Sequence, residues 1–149
     1  MVQSARDEDL LNLLSRFPER IIQHKPWLLL YRTSCRRYSH AAENVVDLRK
    51  AKDIFERQGN IKGRILALGY LMEAIFLIGR DPVSVHDLLT EAETLLSGLS
   101  FSEHPREQAL LWLQMSFCST LRSRDTRDGY RASQNAFLLG KKLKDHSLQ

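Results

Sequence analysis

The chain has 149 residues, of which 43% are hydrophobic and 27% charged, and its 22 basic and 18 acidic side chains leave a net charge of +4. This composition is typical of a folded domain and excludes a disordered or collagen-like chain. Two cysteines are too few for a disulfide framework, and apolar runs such as Trp27–Tyr31 are too short to cross a bilayer. With a polar, acidic start, these features predict a cytoplasmic protein without a signal peptide.

Helical periodicity divides the chain into short segments. Apolar residues recur at spacings of three and four, and the four prolines lie where segments begin, a position that tolerates the missing N–H. Gly59 and Gly98 follow segments as helix-ending glycines do, and Asn60 is placed to cap the next helix. We predict seven or eight helices, at about 6–16, 18–24, 26–38, 42–58, 61–79, 83–97, 105–122 and 126–144.

A register of 41 residues relates three parts of the chain. Trp27, Leu68 and Ala109 are each 41 apart. The same step relates three triplets of large, small and large residues, in which the small residue lets two helices approach closely. These triplets are Leu48, Ala51, Phe55; Leu89, Ala92, Leu96; and Tyr130, Ser133, Phe137.

Self-similarity at such a period is typical of stacked helical hairpins. We therefore predict an all-α fold, a short right-handed superhelix of antiparallel hairpins similar to tetratricopeptide (TPR) arrays but with a period of about 41 residues. Residues 1–149 are interpreted as one helical-repeat domain, with capping helices in 1–25 and hairpins at 26–59, 60–98 and 103–144.

The last predicted helix is apolar towards its end, at Leu138, Leu139, Leu143 and Leu148. An apolar end face is expected where a further repeat would stack, which favours a fragment of a larger protein. An amphipathic capping helix would give the same pattern. Exposed end faces also favour a homodimer.

Polar residues interrupt the apolar first helices of the hairpins. Arg32, Glu73 and Gln114 occupy equivalent registers 41 apart, and Arg36 lies one helical turn after Arg32. In stacked arrays one helix of each hairpin lines a concave surface. We therefore predict a ligand-binding row formed by these four residues, with an inter-helix hydrogen-bond ladder or a solvated face as the alternatives.

Motifs for catalysis or metal binding do not occur in the sequence. It contains no G-x-x-x-x-G-K-[ST] phosphate loop, no Cys-x-x-Cys and no two histidines spaced i, i+4. No serine or cysteine lies in a recognisable nucleophile motif. We expect no enzymatic activity and no cofactor or metal. A HEAT-like nucleic-acid binder would need a basic stripe, which Glu73 interrupts.

Three segments, 25–39 (KPWLLLYRTSCRRYS), 48–76 and 101–125, resemble the helical-repeat region of MalT-like regulators, which are STAND-class, ATP-dependent bacterial transcriptional regulators. The matching features are Pro26-Trp27-Leu28-Leu29, Cys35-Arg36, Ala51 with Ile54-Phe55, Gln58-Gly59-Asn60, and Gly63 with Ala67. The resemblance implies only the repeat-built sensor region, because the chain has no phosphate loop and no convincing helix-turn-helix.

We therefore expect a non-enzymatic sensor or protein-interaction module that binds an effector or a partner protein and belongs to a larger regulator. Direct DNA binding and membrane association are not expected of this segment. A free-standing TPR-like adaptor is the alternative, and a HEAT-like nucleic-acid binder is less favoured.

Overall fold

The computed structural model describes residues 5–79, 82–122 and 127–146, which contain eight α-helices and no strand. The all-α class is thus confirmed, and every helix begins and ends within three residues of its predicted bounds. The helices are α1 (Ala5–Leu14), α2 (Glu19–Ile22), α3 (Pro26–Cys35), α4 (Ala41–Arg57), α5 (Ile61–Ile78), α6 (Pro82–Ser97), α7 (Pro105–Arg122) and α8 (Arg127–His146).

The chain divides into two compact units, Met1–Ile78 and Gly79–Gln149. In the first unit α3 contacts α1, α2, α4 and α5, and α4 packs along α5. In the second, α7 contacts both α6 and α8. The division falls inside the predicted hairpin 60–98, so that hairpin and the single domain 1–149 stay predictions.

The turn between α4 and α5 follows from three consecutive residues. Gly59 has a φ of +64°, a conformation that glycine adopts without strain. The side chain of Asn60 then accepts the Gly63 N–H at 2.9 Å, as an N-cap does. Both expectations are confirmed. Gly98, also expected in a left-handed conformation, has no positive φ; Gly79, after α5, has one of +69°.

The core of the first unit lies between α4 and α5. Leu48, Ala51 and Phe55 are fully buried on α4, as the large-small-large triplet predicts. The Trp27 ring packs edge-on against Phe55, with centroids 4.9 Å apart. Gly63 of α5 lies directly against the Phe55 ring, so the two helices approach where glycine removes a side chain.

In the second unit, Leu89, Ala92 and Leu96 of α6 are buried as predicted, but the third triplet is not. Tyr130 and Phe137 are 66% and 71% exposed, and Ser133 is also exposed. The buried positions of α8 are instead Ala132 and Leu139, with Gly129 and Ala136 half-buried. This stripe lies one residue before the predicted one, which is about 100° round a helix.

The apolar end of α8 is divided between two environments. Leu139 is buried and Leu143 half-buried, whereas Leu138 is exposed. Leu148 lies outside the described residues. None of the described helices combines the length and apolar character that crossing a membrane requires.

Candidate functional site

Two arginines of the first unit share one buried carboxylate. Arg32 lies in the last turn of α3, and Arg36 follows one turn later at its C-terminal cap. The Oδ2 atom of Asp47, on α4, accepts the Arg32 Nε at 3.0 Å and the Arg36 Nη2 at 2.6 Å. The Asp47 side chain is only 7% exposed. Because the carboxylate is buried, loss of these charged donors would leave it desolvated and unpaired, at a large cost in free energy.

The same face of α4 supplies a second polar partner. Asn44 lies three residues before Asp47 and is buried. Its Oδ1 accepts the Arg36 Nε at 2.8 Å, and its Nδ2 donates to the Arg36 carbonyl at 3.3 Å. Arg36 is therefore fixed to α4 through two of its nitrogens. Its Nη1 makes no hydrogen bond within the ranges that the structure describes.

Arg32 has a further acid on the opposite side. Its Nη1 lies 3.0 Å from Oε1 and 2.8 Å from Oε2 of Glu19, at the start of the four-residue helix α2. The Glu19 side chain is 61% exposed. Gln23, one turn later, donates its Nε2 to Glu19 Oε1 at 2.6 Å. An ion pair this exposed contributes little to stability, so the Glu19 carboxylate can leave Arg32 at small cost.

A cleft of about 480 Å³ opens beside these arginines. That volume is within the range of small-molecule sites. Its apolar lining comes from the end of α1, from α2 and from the residues between them, and its two guanidinium groups come from the C-terminal end of α3. The lining residues, referred to below as the arginine cleft, are Leu11, Leu14, Ser15, Phe17, Glu19, Ile22, Arg32 and Arg36.

The two guanidinium groups differ in how well their charge is compensated. Burial lowers the pKa of Arg36; Asp47 opposes this effect and the neighbouring Arg32 adds to it. Burial acts on Arg32 too, but its hydrogen bond to Glu19 and the charge of Asp47 outweigh it and raise its pKa. The Arg32 hydrogen bond, followed by that of Gln23, lowers the pKa of Glu19. Both arginines stay protonated, and the positive charge of Arg36 is compensated by its neighbours less well than that of Arg32.

A separate ion pair joins α5 to the end of α3. Arg37 donates its Nη2 to Glu73 Oε1 at 2.6 Å and its Nε to Oε2 at 2.5 Å, and this hydrogen bonding raises the pKa of Arg37. Its guanidinium carbon also lies 5.4 Å from the ring centroids of Tyr38 and Tyr70. The adjoining cavity, about 10 Å³, has room for one water at most. The pair therefore links α5 to the residues that follow α3, and the ligand-binding role of Glu73 stays a prediction.

The four residues of the predicted row have different environments. Arg32 and Arg36 meet at Asp47 and line the arginine cleft, whereas Glu73 binds Arg37. Gln114, on α7 of the second unit, is 4% exposed. Inter-helix hydrogen bonding, the alternative raised from the sequence, describes the contacts of the first three. A continuous row reaching Gln114 stays a prediction.

Sequence reasoning missed the side chains that hold Arg32 and Arg36, which are Glu19, Asn44 and Asp47, and it missed Arg37 as the partner of Glu73. One signal was present for two of them. Asn44 and Asp47 lie on the same stripe of α4 as Leu48 and Ala51. Polar residues on a buried stripe require partners, so their positions indicated an inter-helix network.

Both cysteines are buried thiols, one in each unit. Burial raises the pKa of Cys118 to about 12, and burial followed by the Asp7 charge raises that of Cys35. Among the residues described, no group of three or more His, Cys, Asp or Glu could hold a metal ion.

The raised thiol pKa gives a testable reactivity. In a Cys35→Ser variant, Cys118 should react with iodoacetamide at pH 8 at least about 100-fold more slowly than in the same chain unfolded in guanidinium, since only the thiolate reacts. The rate should climb as the pH approaches 12. Equal rates in the folded and unfolded chain at pH 8 would show that this thiol is accessible and ionised.

Comparison with protein-family models, with curated proteins and with solved structures finds no match. The resemblance to MalT-like regulators therefore stays a prediction from the sequence.

Proposed function

We propose that the chain is a non-enzymatic sensor module that binds a small effector in the arginine cleft. The carrying observation is the combination, in one cleft of about 480 Å³, of apolar walls with two half-buried guanidinium groups. Binding sites of this size are usually apolar with a few placed polar groups, and this cleft has that composition.

The cleft is also placed where occupancy could alter the surrounding structure. Its walls come from α1, α2 and α3, and the arginines connect it to α4 through Asp47. A ligand that takes the place of Glu19 on Arg32 therefore acts on the contact between α2 and α3. Such a coupling is what a sensor needs, because a ligand shifts only equilibria whose states it binds differently.

The wider assignment rests on the sequence. We propose a bacterial, cytoplasmic protein in which the helices continue as a right-handed, TPR-like superhelix, forming the sensor region of a MalT-like transcriptional regulator. Contacts between α3 and α4 and between α7 and α8, the helix pairs of the predicted hairpins 26–59 and 103–144, support helical hairpins as the building unit.

The binding part of this proposal is tested with a neutral apolar probe. In the ¹⁵N-labelled full chain, 1-octanol should shift the amide resonances of Leu11, Leu14 and Ile22 in a saturable manner. Ser15, an exposed residue on the cleft lining, is replaced by tryptophan to fill the cleft. Ser15→Trp should abolish these shifts.

Asn12→Trp is the matched control, since Asn12 is exposed on α1 and does not line the cleft. It should leave the octanol shifts intact. If 1-octanol and octanoate both fail to shift the cleft resonances, or if the two tryptophan variants behave alike, the cleft is not a binding site and the proposed function is wrong.

A further inference from the structure

We infer that the arginine cleft binds a monocarboxylate with an aliphatic body, whose carboxylate replaces that of Glu19 on Arg32 and also reaches Arg36. This assignment rests on the proposed function and names the ligand class of the same site. Glu19 then acts as an internal carboxylate that occupies the anion position while the cleft is empty.

Charge balance within the cleft supports an anionic ligand. Two guanidinium groups share a single buried acid, Asp47, whose Oδ2 atom accepts from both. Glu19 is the acid on the cleft lining; it is mostly exposed and accepts hydrogen bonds from Arg32 but not from Arg36. Glu43 and Glu19 act on Arg36 through their charge, without a hydrogen bond to it. An added carboxylate would supply a second close negative charge beside Arg36, after that of Asp47, and an acceptor for its Nη1 atom. Charge-assisted hydrogen bonds of this kind are the strong ones.

Loss of the Glu19 contact frees one donor group of Arg32 for such a carboxylate. Glu19 holds Arg32 through Nη1 alone, while the Arg32 Nε and Nη2 stay on Asp47 at 3.0 and 2.9 Å. Rotation of Glu19 into solvent therefore frees one donor without breaking the α3–α4 contact. Because one negative charge leaves and one enters, a monoanion fits the site better than a dianion.

The apolar walls specify the rest of the ligand. Leu14 and Ile22 are almost fully buried, and Leu11 and Phe17 complete the apolar lining of the cleft. Each methylene group that enters such a cleft tightens binding by about fourfold at most. A bare anion cannot use this surface, and a cation would face two guanidinium groups.

Four probes of graded chemistry separate these contributions in calorimetric titrations of the full chain. Octanoate should bind at least about tenfold more tightly than 1-octanol, because it adds hydrogen bonds to charged donors. Acetate should bind at least about 30-fold more weakly than octanoate, since it lacks the aliphatic body. Octylammonium should bind more weakly than 1-octanol.

Two substitutions with matched controls locate the carboxylate. Glu19→Gln should tighten octanoate binding about threefold, because it removes an exposed competing charge. Glu56→Gln changes a comparable exposed pair, Glu56 with Arg64 at 3.0 Å, outside the cleft lining and should have no effect. Arg36→Gln should weaken octanoate binding about tenfold, whereas Arg37→Gln, the same charge change at the next residue and off the cleft lining, should not.

The outcomes distinguish the ligand class from the proposed function. If octanoate and 1-octanol bind the cleft equally, or Glu19→Gln weakens octanoate binding, the carboxylate assignment is overturned and the cleft remains an apolar binding site. If acetate binds as tightly as octanoate, the site recognises the anionic group alone, and the assignment of an aliphatic body to the ligand is wrong. Circular dichroism of each variant before titration shows that a lost affinity is not a lost fold.

Discussion

Replacing Gly63 by valine should lower the free energy of unfolding of the first unit by about 3 kcal/mol, as overpacking of a dense core does. A Cβ atom at this position would lie 2.5 Å from Phe55 Cε1 and 2.7 Å from Cγ. The Phe55 ring is fully buried, so it has no free space into which to turn. The helix must therefore shift away from α4, which opens the core of the unit.

The two tryptophans make this prediction measurable for the first unit alone. Trp112, in the second unit, has a buried Nε1 without a hydrogen-bond partner among the described residues, so Trp112→Phe should cost little. In that background, urea unfolding is followed by the fluorescence of Trp27, which contacts Phe55. Phe55→Leu should couple with Gly63→Val, giving a combined loss smaller than the sum.

Gly140→Val is the matched control for the glycine substitution. Gly140 is an exposed residue of α8, and a Cβ atom there would meet no other atom within 4 Å. Valine and glycine differ by only a few tenths of a kcal/mol in helix propensity, so its effect should stay within about 0.5 kcal/mol. Because Gly140 lies in the second unit, its unfolding is followed by the fluorescence of Trp112 in a Trp27→Phe background. If the two valine variants are equally stable, Gly63 is not the contact point between α4 and α5.

The helices were predictable because their signals are local. Proline at the start of α3, glycine after α4 and the Asn60 cap each act within a few residues, so the sequence indicates them without knowledge of the fold. Gly63 illustrates the limit of such signals. In the sequence, a glycine inside a helix indicates a loss of helix stability. Only the position of Phe55 on another helix explains why a glycine lies there.

The 41-residue register was less informative about burial than about spacing. Met72 is fully buried, whereas Tyr31 and Leu113, at equivalent positions, are 50% and 42% exposed. In α8 the buried face is set by α7: a Cβ on Gly129 would lie 3.5 Å from the Ser116 carbonyl and from Ser119 Cβ. Which face of a helix is covered depends on its neighbours, and a repeat period does not contain that information.

The candidate site was predictable in part. Arg32 and Arg36 were recognisable as charges one turn apart in an apolar helix, but their partners come from two other helices. Glu19 lies 13 residues before Arg32 and Asp47 lies 15 after it, so no local spacing connects them. The apolar wall from α1 and α2 was assigned to a cap, because long-range packing alone brings it to the arginines.

Replacing Asp47 by alanine should lower the free energy of unfolding by about 3 kcal/mol, because it removes the shared acid of two half-buried arginines. Three nitrogen contacts to one oxygen atom are lost together, at 2.6, 2.9 and 3.0 Å. The Arg36 guanidinium then keeps only the bond from its Nε to Asn44, and the positive charges of Arg32 and Arg36 are left beside each other. The measurement is the same Trp27-reported urea unfolding.

Asp53→Ala gives the matched control, since Asp53 lies on the same helix, is 63% exposed and pairs with Lys52 only at 3.6 Å. Its effect should stay within about 0.5 kcal/mol, as exposed pairs contribute little. Octanoate should restore more stability to Asp47→Ala than to the unaltered chain, because its carboxylate supplies the missing charge. Equal losses in the two alanine variants would show that Asp47 is not the acid that holds α3 to α4.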